Sequence, residues 1–232
     1  MENKRGLREN RSQDLAKRAY AGIRQMLFFG EISPGQRLRY RDLAHRLGMS
    51  PTPVIQALRW LEFQGLVRHE VNRGYSLEPP HYEEVCEVYE LREALEVSLL
   101  PRTIRRRSRR ELGRLRKALE EHLEVSGEGF MKRRLLKDME FHLTLAELSG
   151  GEIACRILRY LFDLLYLKYT AEVLFASPMA SVAEDHLRIF SAVETGDLAQ
   201  AQEALSAHIR TVRDHVLGVI RRGMREREMV SL

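Results

Sequence analysis

Asp138 stands four residues before His142 in the segment LLKDMEFHLTLAELSGG (135–151), which otherwise carries the apolar spacing of an amphipathic helix. Positions four apart share one helix face, with Cβ atoms about 5–6 Å apart, so a carboxylate and an imidazole placed this way can grip one ion. The same spacing also suits a plain ion pair or a buried histidine, and two ligands do not complete a metal site. The rest of the chain has to supply further ligands and the helices that carry them.

A chain of 232 residues with 44% hydrophobic residues can bury a core as one large domain or two smaller ones. The nearest approach to a long apolar run, ILRYLFDLLYLKY, is broken by Arg159, Asp163 and Lys168. It falls short of the roughly 20 residues that span a bilayer, so no transmembrane helix and no membrane partner are expected. The N-terminal MENKRGLRENRSQD lacks the apolar stretch of a signal peptide, and the expected location is cytoplasmic. Cys86 and Cys155 fit no motif spacing and read as small core residues of a reducing compartment. Charge is unevenly spread. Residues 1–80 hold 14 Lys and Arg against 8 Asp and Glu, while residues 81–232 hold 24 against 25. A basic first third beside a near-neutral remainder predicts that the first third meets a polyanion while the remainder does something else.

Leu15, Ala19, Ile23 and Leu27 place one stripe on a helix over 13–29, which ends at Gly30. Leu43, Ala44 and Leu47 form a second helix of about two turns closed by Gly48. Ser50 as N-cap, Pro51 at the first helical position and the spacing of Val54, Ala57, Leu58 and Leu61 predict a third over 51–64. Two short helices joined by a tight turn make a helix-turn-helix, and LVRHEVNRGYSLEP, alternating about NRG, adds a hairpin wing. Residues 1–78 therefore read as a winged helix-turn-helix domain and Pro79, Pro80 and His81 as a stiff linker. Residues 82–225 read as an all-α antiparallel bundle, with a tail over 226–232. The fold class is mainly α. Six bundle helices are expected. Pro101 kinks or ends the first; Ser108 with Glu111 caps the second; the third spans about 130–148; EIACRILRYLFDLLYLKYTAEVLF forms the fourth; Ser181 with Glu184 and Asp197 with Gln200 open the last two. RRRSRR (105–110) reads as a solvated helix entry, with a phosphate-contacting role as the alternative.

GEISPGQRL, DLAHRLGMSPTPVIQALRWLEFQGLV and NRGYSL resemble the N-terminal domain of GntR-family bacterial transcription regulators. YELREALE, DMEFH and EDHLRIFSAVETGDLAQAQEALSAHI resemble the FCD ligand-sensing domain of the FadR branch, with a helix count nearer the VanR-like subgroup. The resemblance covers nearly the whole chain. It implies a metal held by Asp138, His142, His186 and His208, and three imidazoles with one carboxylate suit Zn, Ni or Mn. It marks Arg92 as a residue that pairs with a small organic-acid effector. His215, seven residues beyond His208 on the same face, reads as a surface residue, with a place beside the site as the alternative. After ELSG the family usually has Asn, where this chain has Gly151 and Glu152, so a pocket wall is expected to differ.

The third helix departs further. Two positions that carry arginine in the family are Pro51 and Ile55 here, which removes guanine readout at those points. Ser50, Thr52, Gln56 and Arg59 remain for DNA, with Arg41 on the second helix and Arg73 and Gly74 at the wing. The expectation is a bacterial transcription repressor that binds a palindromic operator as a homodimer, its affinity set by a small carboxylate at the metal. The alternatives are a metal-dependent hydrolase-like enzyme, which lacks an evident general base, and a DNA-associated protein that has lost sequence specificity.

Overall fold

The computed structural model describes residues 2–33, 35–71, 73–78, 81–125, 131–169, 171–174 and 179–230. The chain divides into two compact units, Met1–Pro80 and His81–Leu232.

In the first unit α1 (Glu2–Phe28), α2 (Tyr40–Leu47) and α3 (Pro51–Phe63) accompany a small antiparallel sheet of β1 (Arg37–Leu38), β2 (Val67–Glu70) and β3 (Gly74–Leu77), in the order β1-β3-β2. Leu38 pairs with Tyr75, and His69 pairs with Tyr75 from the other side. α1 begins well ahead of residue 13, and its buried stripe is Ala16, Ala19, Ile23 and Leu27, with Leu15 only half-buried. That stripe packs on Val54, Ala57, Leu58 and Leu61 of α3. Gly22 lets α2 approach: a Cβ there would lie 2.5 Å from Leu47 Cδ2. The tight turn rests on Gly48, whose φ of 61° is open to glycine at little cost. Its N–H donates to the His45 carbonyl and the Met49 N–H to that of Ala44, which closes the end of α2. Pro51 takes the first position of α3 as expected. Ser50 occupies the cap position without a side-chain bond, because its own backbone geometry and Pro51 already set the entry. Asn72, Pro79 and Pro80 lie outside the described residues.

The second unit is helical. Its six long helices are α4 (Tyr82–Arg106), α5 (Arg109–Glu124), α6 (Met131–Leu148), α7 (Glu152–Lys168), α9 (Met179–Thr195) and α10 (Leu198–Val230), and a single turn, α8 (Ala171–Leu174), lies between α7 and α9. α4 packs against α6, α7, α9 and α10 and so lies at the centre. It does not stop at Pro101. The Thr103 hydroxyl donates to the carbonyls of Leu99 at 3.2 Å and Leu145 at 3.3 Å. Leu100, Thr103 and Ile104 are buried, so packing on α6 holds the turn that proline weakens. The apolar segment after Gly151 is not one helix: Tyr169 takes extended backbone, φ −111° and ψ 145°, and ends α7. Its hydroxyl donates to the His81 carbonyl at 3.3 Å, and buried Lys168 donates to both Glu84 oxygens at 2.7 and 2.8 Å, so contacts to the start of α4 outweigh helix continuation. Ser108 accepts from the Glu111 N–H at 3.2 Å and Asp197 from that of Gln200 at 3.0 Å, as the cap pattern predicts. α9 starts at Met179, ahead of Ser181, whose side chain lies outside the described residues. Cys86 and Cys155 are free and half-buried rather than core. No helix among the described residues is long and apolar enough to cross a membrane.

Candidate functional site

The bundle brings Asp138 and His142 of α6, His186 of α9 and His208 of α10 together, with one ligand atom from each within 4.8 Å of all the others. The three histidines are buried, with Phe141 against His142 and His186 and Phe162 against His142. An imidazole in such a place must satisfy both ring edges. His142 turns Nδ1 to Glu96 Oε2 at 2.6 Å, His186 to the Val182 carbonyl at 2.9 Å, and His208 to Asp185 Oδ2 at 3.4 Å. Partners that only accept place the N–H on Nδ1 and leave the Nε2 lone pair free. The Nε2 atoms of His142 and His186 face each other at 3.4 Å. Asp138 Oδ1 lies 3.4 Å from His186 Nε2 and 3.9 Å from His142 Nε2. The two facing Nε2 atoms beside a carboxylate, with a ligand atom of His208 within 4.8 Å, form an acceptor set that one cation would satisfy. Ligand bonds of about 2.0–2.2 Å put neighbouring donor atoms roughly 3–3.5 Å apart, which two of these separations already match.

The electrostatics favour the same occupant. Burial holds His186 well below the ordinary imidazole range and lowers His208 as well, which favours the neutral rings that a cation needs. The carboxyl of Asp138 lies well below its ordinary range: burial raises it, and attraction to His142, His186, His122 and His208 when these rings carry a proton lowers it by more. Its other oxygen accepts from the Tyr166 hydroxyl at 2.8 Å.

Arg92 is buried beside this cluster. Its Nε donates to Glu96 Oε1 at 3.0 Å, and its guanidinium carbon lies 4.0 Å from the Phe162 ring centroid. Burial penalises the charge of Glu96, while His142 and Arg92 lower its pKa by more. Glu96 thus ties His142 to Arg92. Arg92, Tyr89, Asp138, Tyr166, Leu174 and His208 line a small cavity of about 30 Å³. Gly151 and Glu152 are not on its wall. They line a separate surface cleft with Cys155 and Arg156, so the departure after ELSG falls elsewhere. His215 bonds its own helix through the Thr211 carbonyl at 2.7 Å and is not part of the cluster.

Spacing alone did not reveal Glu96, Tyr166, Asp185 or His122. His122 of α5 is 2% exposed, its ring lies 4.4 Å from that of His186, and its buried Nδ1 has no hydrogen-bond partner among the described residues. Burial pushes its pKa down to about 4. The sole sequence signal for it was a histidine amid the charges of EEHLE, which reads as surface.

In the first unit the residues expected at DNA are set outward. Arg41, Ser50, Thr52, Arg59 and Arg73 are exposed, and Gln56 and Gly74 are half-exposed. Thr52, Gln56 and Arg59 lie on α3 opposite its buried Val54, Leu58 and Leu61. Gly74, at φ 82°, opens β3 at the wing tip, where Arg73 lies 3.5 Å from Glu70. Arg37 and Arg68, which the sequence reading passed over, share a shallow cleft on the sheet with Arg73.

Residues 15–76 match the model of the bacterial regulatory proteins of the gntR family, and residues 87–211 match that of the FCD domain. The chain is 30% identical to the Nta operon transcriptional regulator of Aminobacter aminovorans over 193 residues, covering 83% of this chain and 90% of that one. It is 28% identical to the HTH-type transcriptional regulator LutR of Bacillus subtilis over 214 residues, covering 83% and 97%. Among solved structures, E. coli McbR/YncC superposes with a TM-score of 0.78 at 20% identity, covering 89% and 98%. A GntR regulator from Rhodococcus sp. RHA1 superposes at 0.75 and 22%, covering 88% and 97%. These structural likenesses establish the fold.

Proposed function

The chain belongs to the gntR family of bacterial regulatory proteins, FCD branch, and from that premise we propose that it is a metabolite-responsive repressor that binds a palindromic operator as a homodimer. Its relatives are transcription regulators and it is not an enzyme. We assign DNA binding to residues 1–78, a linker to 79–81, effector binding and dimerisation to 82–225, and a tail to 226–232. FCD domains bind metals and the cluster can hold one. Asp138, His142, His186 and His208 would hold Zn, Ni or Mn. A bound ion supplies a Lewis-acidic anchor for an effector carboxylate oxygen. Arg92, oriented by Glu96, takes the effector's other anionic end.

The observation that carries this reading is that the three imidazoles are each tied at Nδ1, with Nε2 of His142 and of His186 turned to each other and to Asp138 and a ligand atom of His208 within 4.8 Å of them. The cavity beside them, about 30 Å³, has room for one water, so an organic acid must displace wall residues such as Leu174 on the one-turn α8. The break before α8 is tied to the start of α4 through Lys168–Glu84 and Tyr169–His81. Effector entry would strain that clasp and change how α4 leaves the linker. The effector shifts DNA affinity only if it binds one arrangement better than the other.

The test is elemental analysis of untagged wild-type and His142→Ala protein, followed by operator anisotropy at fixed salt with candidate carboxylates. One Zn, Ni or Mn per chain, lost in the variant, with operator affinity moved by a carboxylate only in the loaded protein, supports the model. Tight effector binding with unchanged operator affinity sinks the coupling. A second reading, DNA binding without sequence preference, is favoured by Pro51 and Ile55 replacing two family cations. Equal affinity for operator and scrambled DNA would select it.

A further inference from the structure

The corner between α4 and α5 carries six arginines in nine residues, RTIRRRSRR (102–110), with no lysine and no acid among them. All six are exposed. Arg107 has a local role: it donates to the Ile104 carbonyl at 2.7 Å and its guanidinium covers Gly196. Arg106 lies over Gly150, where a Cβ would come within 2.8 Å of its Cζ. Arg102, Arg105, Arg109 and Arg110 make no ion pair among the described residues. The arginines just beyond them on α5 do, Arg114 with Glu111 and Glu147 and Arg116 with Glu194. The cluster is therefore not simply part of the general surface salt network.

Helix stability does not account for it either. Arg105 and Arg106 suit the C-terminal end of α4, where cations are favoured. Arg109 and Arg110 occupy the first turn of α5, where the helix dipole and free N–H groups favour anions and disfavour cations. That placement goes against the fold and suits an anionic partner brought to both helix ends at once. Planar guanidinium forks match phosphate oxygens better than ammonium groups do, and this stretch is arginine throughout.

We propose that this corner is a second DNA-contacting surface that binds backbone phosphates without reading bases. The proposal rests on the DNA-binding character of the family and adds to it a surface outside the helix-turn-helix. The contact raises affinity for any duplex and steepens its salt dependence.

The test compares full-length wild type with Arg102, Arg105, Arg109 and Arg110 all changed to Gln, and with the same four changed to Lys. Each is titrated with a duplex of random sequence, roughly 60 bp, over a salt series. With about 0.9 counterion released per phosphate contact, loss of two contacts makes the log–log slope shallower by about two and weakens binding roughly sixtyfold near 0.1 M salt. The Gln variant is expected to show both changes with unaltered metal content and melting, and the Lys variant to keep most of the slope. Unchanged affinity and slope in the Gln variant would overturn the proposal. So would a loss matched by equal loss of helicity, or a loss confined to anionic vesicles with DNA binding intact. Selectivity for operator over random duplex reports separately on the regulator reading, because it depends on α3 and not on this corner.

Discussion

Arg41, Thr52, Gln56, Arg59 and Arg73 stand outside a core that does not use them, whereas His142, His186 and His208 are core residues of the second unit. In the first unit Val54, Ala57, Leu58 and Leu61 hold the fold, and the residues offered to DNA can vary without disturbing them. In the second, each polar group taken out of water needs a partner, and the partners are other site residues: Glu96 serves both Arg92 and His142. In the first unit the exposed side chains are thus separable from stability, while in the second the clustered polar groups are coupled to it. The contrast can be tested from its largest consequence downward.

Metal removal should have the largest effect. A ligand bound only by the folded state stabilises it by about 4 kcal/mol at a thousand times its Kd, so chelation, or Asp138→Ala, should lower Tm by several degrees and leave no metal on the chain. Arg41→Ala should leave Tm unchanged. Equal melting of loaded and stripped protein would break the comparison at its root.

Glu96→Ala comes next. It leaves the Arg92 charge buried without its carboxylate and removes the acceptor from His142 Nδ1, and should cost about 3 kcal/mol in denaturant unfolding of stripped protein. Metal affinity should fall about 10–100-fold, because the imidazole loses its orienting partner. Adding Arg92→Met should recover much of the stability but not the metal affinity. Recovery of both would mean that Glu96 serves only the arginine.

His122 gives a smaller effect, with a sign that can be worked out. Its folded pKa, about 4, lies below the ordinary 6.5, so as pH falls through 6.5 the unfolded chain takes up a proton that the folded one refuses. Its contribution is full above pH 6.5 and is lost toward pH 4. In metal-free protein the loss between pH 7 and 5 should be about 2 kcal/mol from this residue, and urea midpoints of His122→Phe should lack that share. An identical pH slope in the variant would place the effect elsewhere.

What could be read in the sequence follows the same division. The helix-turn-helix was legible because its signals are local: Gly48 must turn, Pro51 must begin a helix, and the apolar spacing of α3 lies within 13 residues. Asp138 and His142 were legible as a pair for the same reason, one helix face. Joining them to His186 and His208 needed the family resemblance, since no local rule links residues on three helices. The orienting partners stayed hidden because they are products of packing: Glu96 meets His142 across 46 residues, and Asp185 meets His208 across 23. The end of α7 at Tyr169 was missed because contacts to Glu84 and His81, more than 80 residues away, override an apolar helical pattern.

The smallest predicted effect probes the first unit alone. Gln56 is half-exposed on α3, in the register that faces away from Leu58 and Leu61, and Pro51 and Ile55 leave it little cationic company there. A glutamine can pair with both edge groups of adenine, so Gln56→Ala should cost about 1 kcal/mol on operator DNA and nothing on scrambled DNA, with the salt slope unchanged. Arg41→Ala should weaken both DNAs and flatten the slope by about one, as a phosphate contact does. If Gln56→Ala instead weakened both DNAs equally, α3 would be serving as a positively placed scaffold rather than a reader. Whatever sequence preference the protein has would then have to come from the wing, where Arg37, Arg68 and Arg73 lie together.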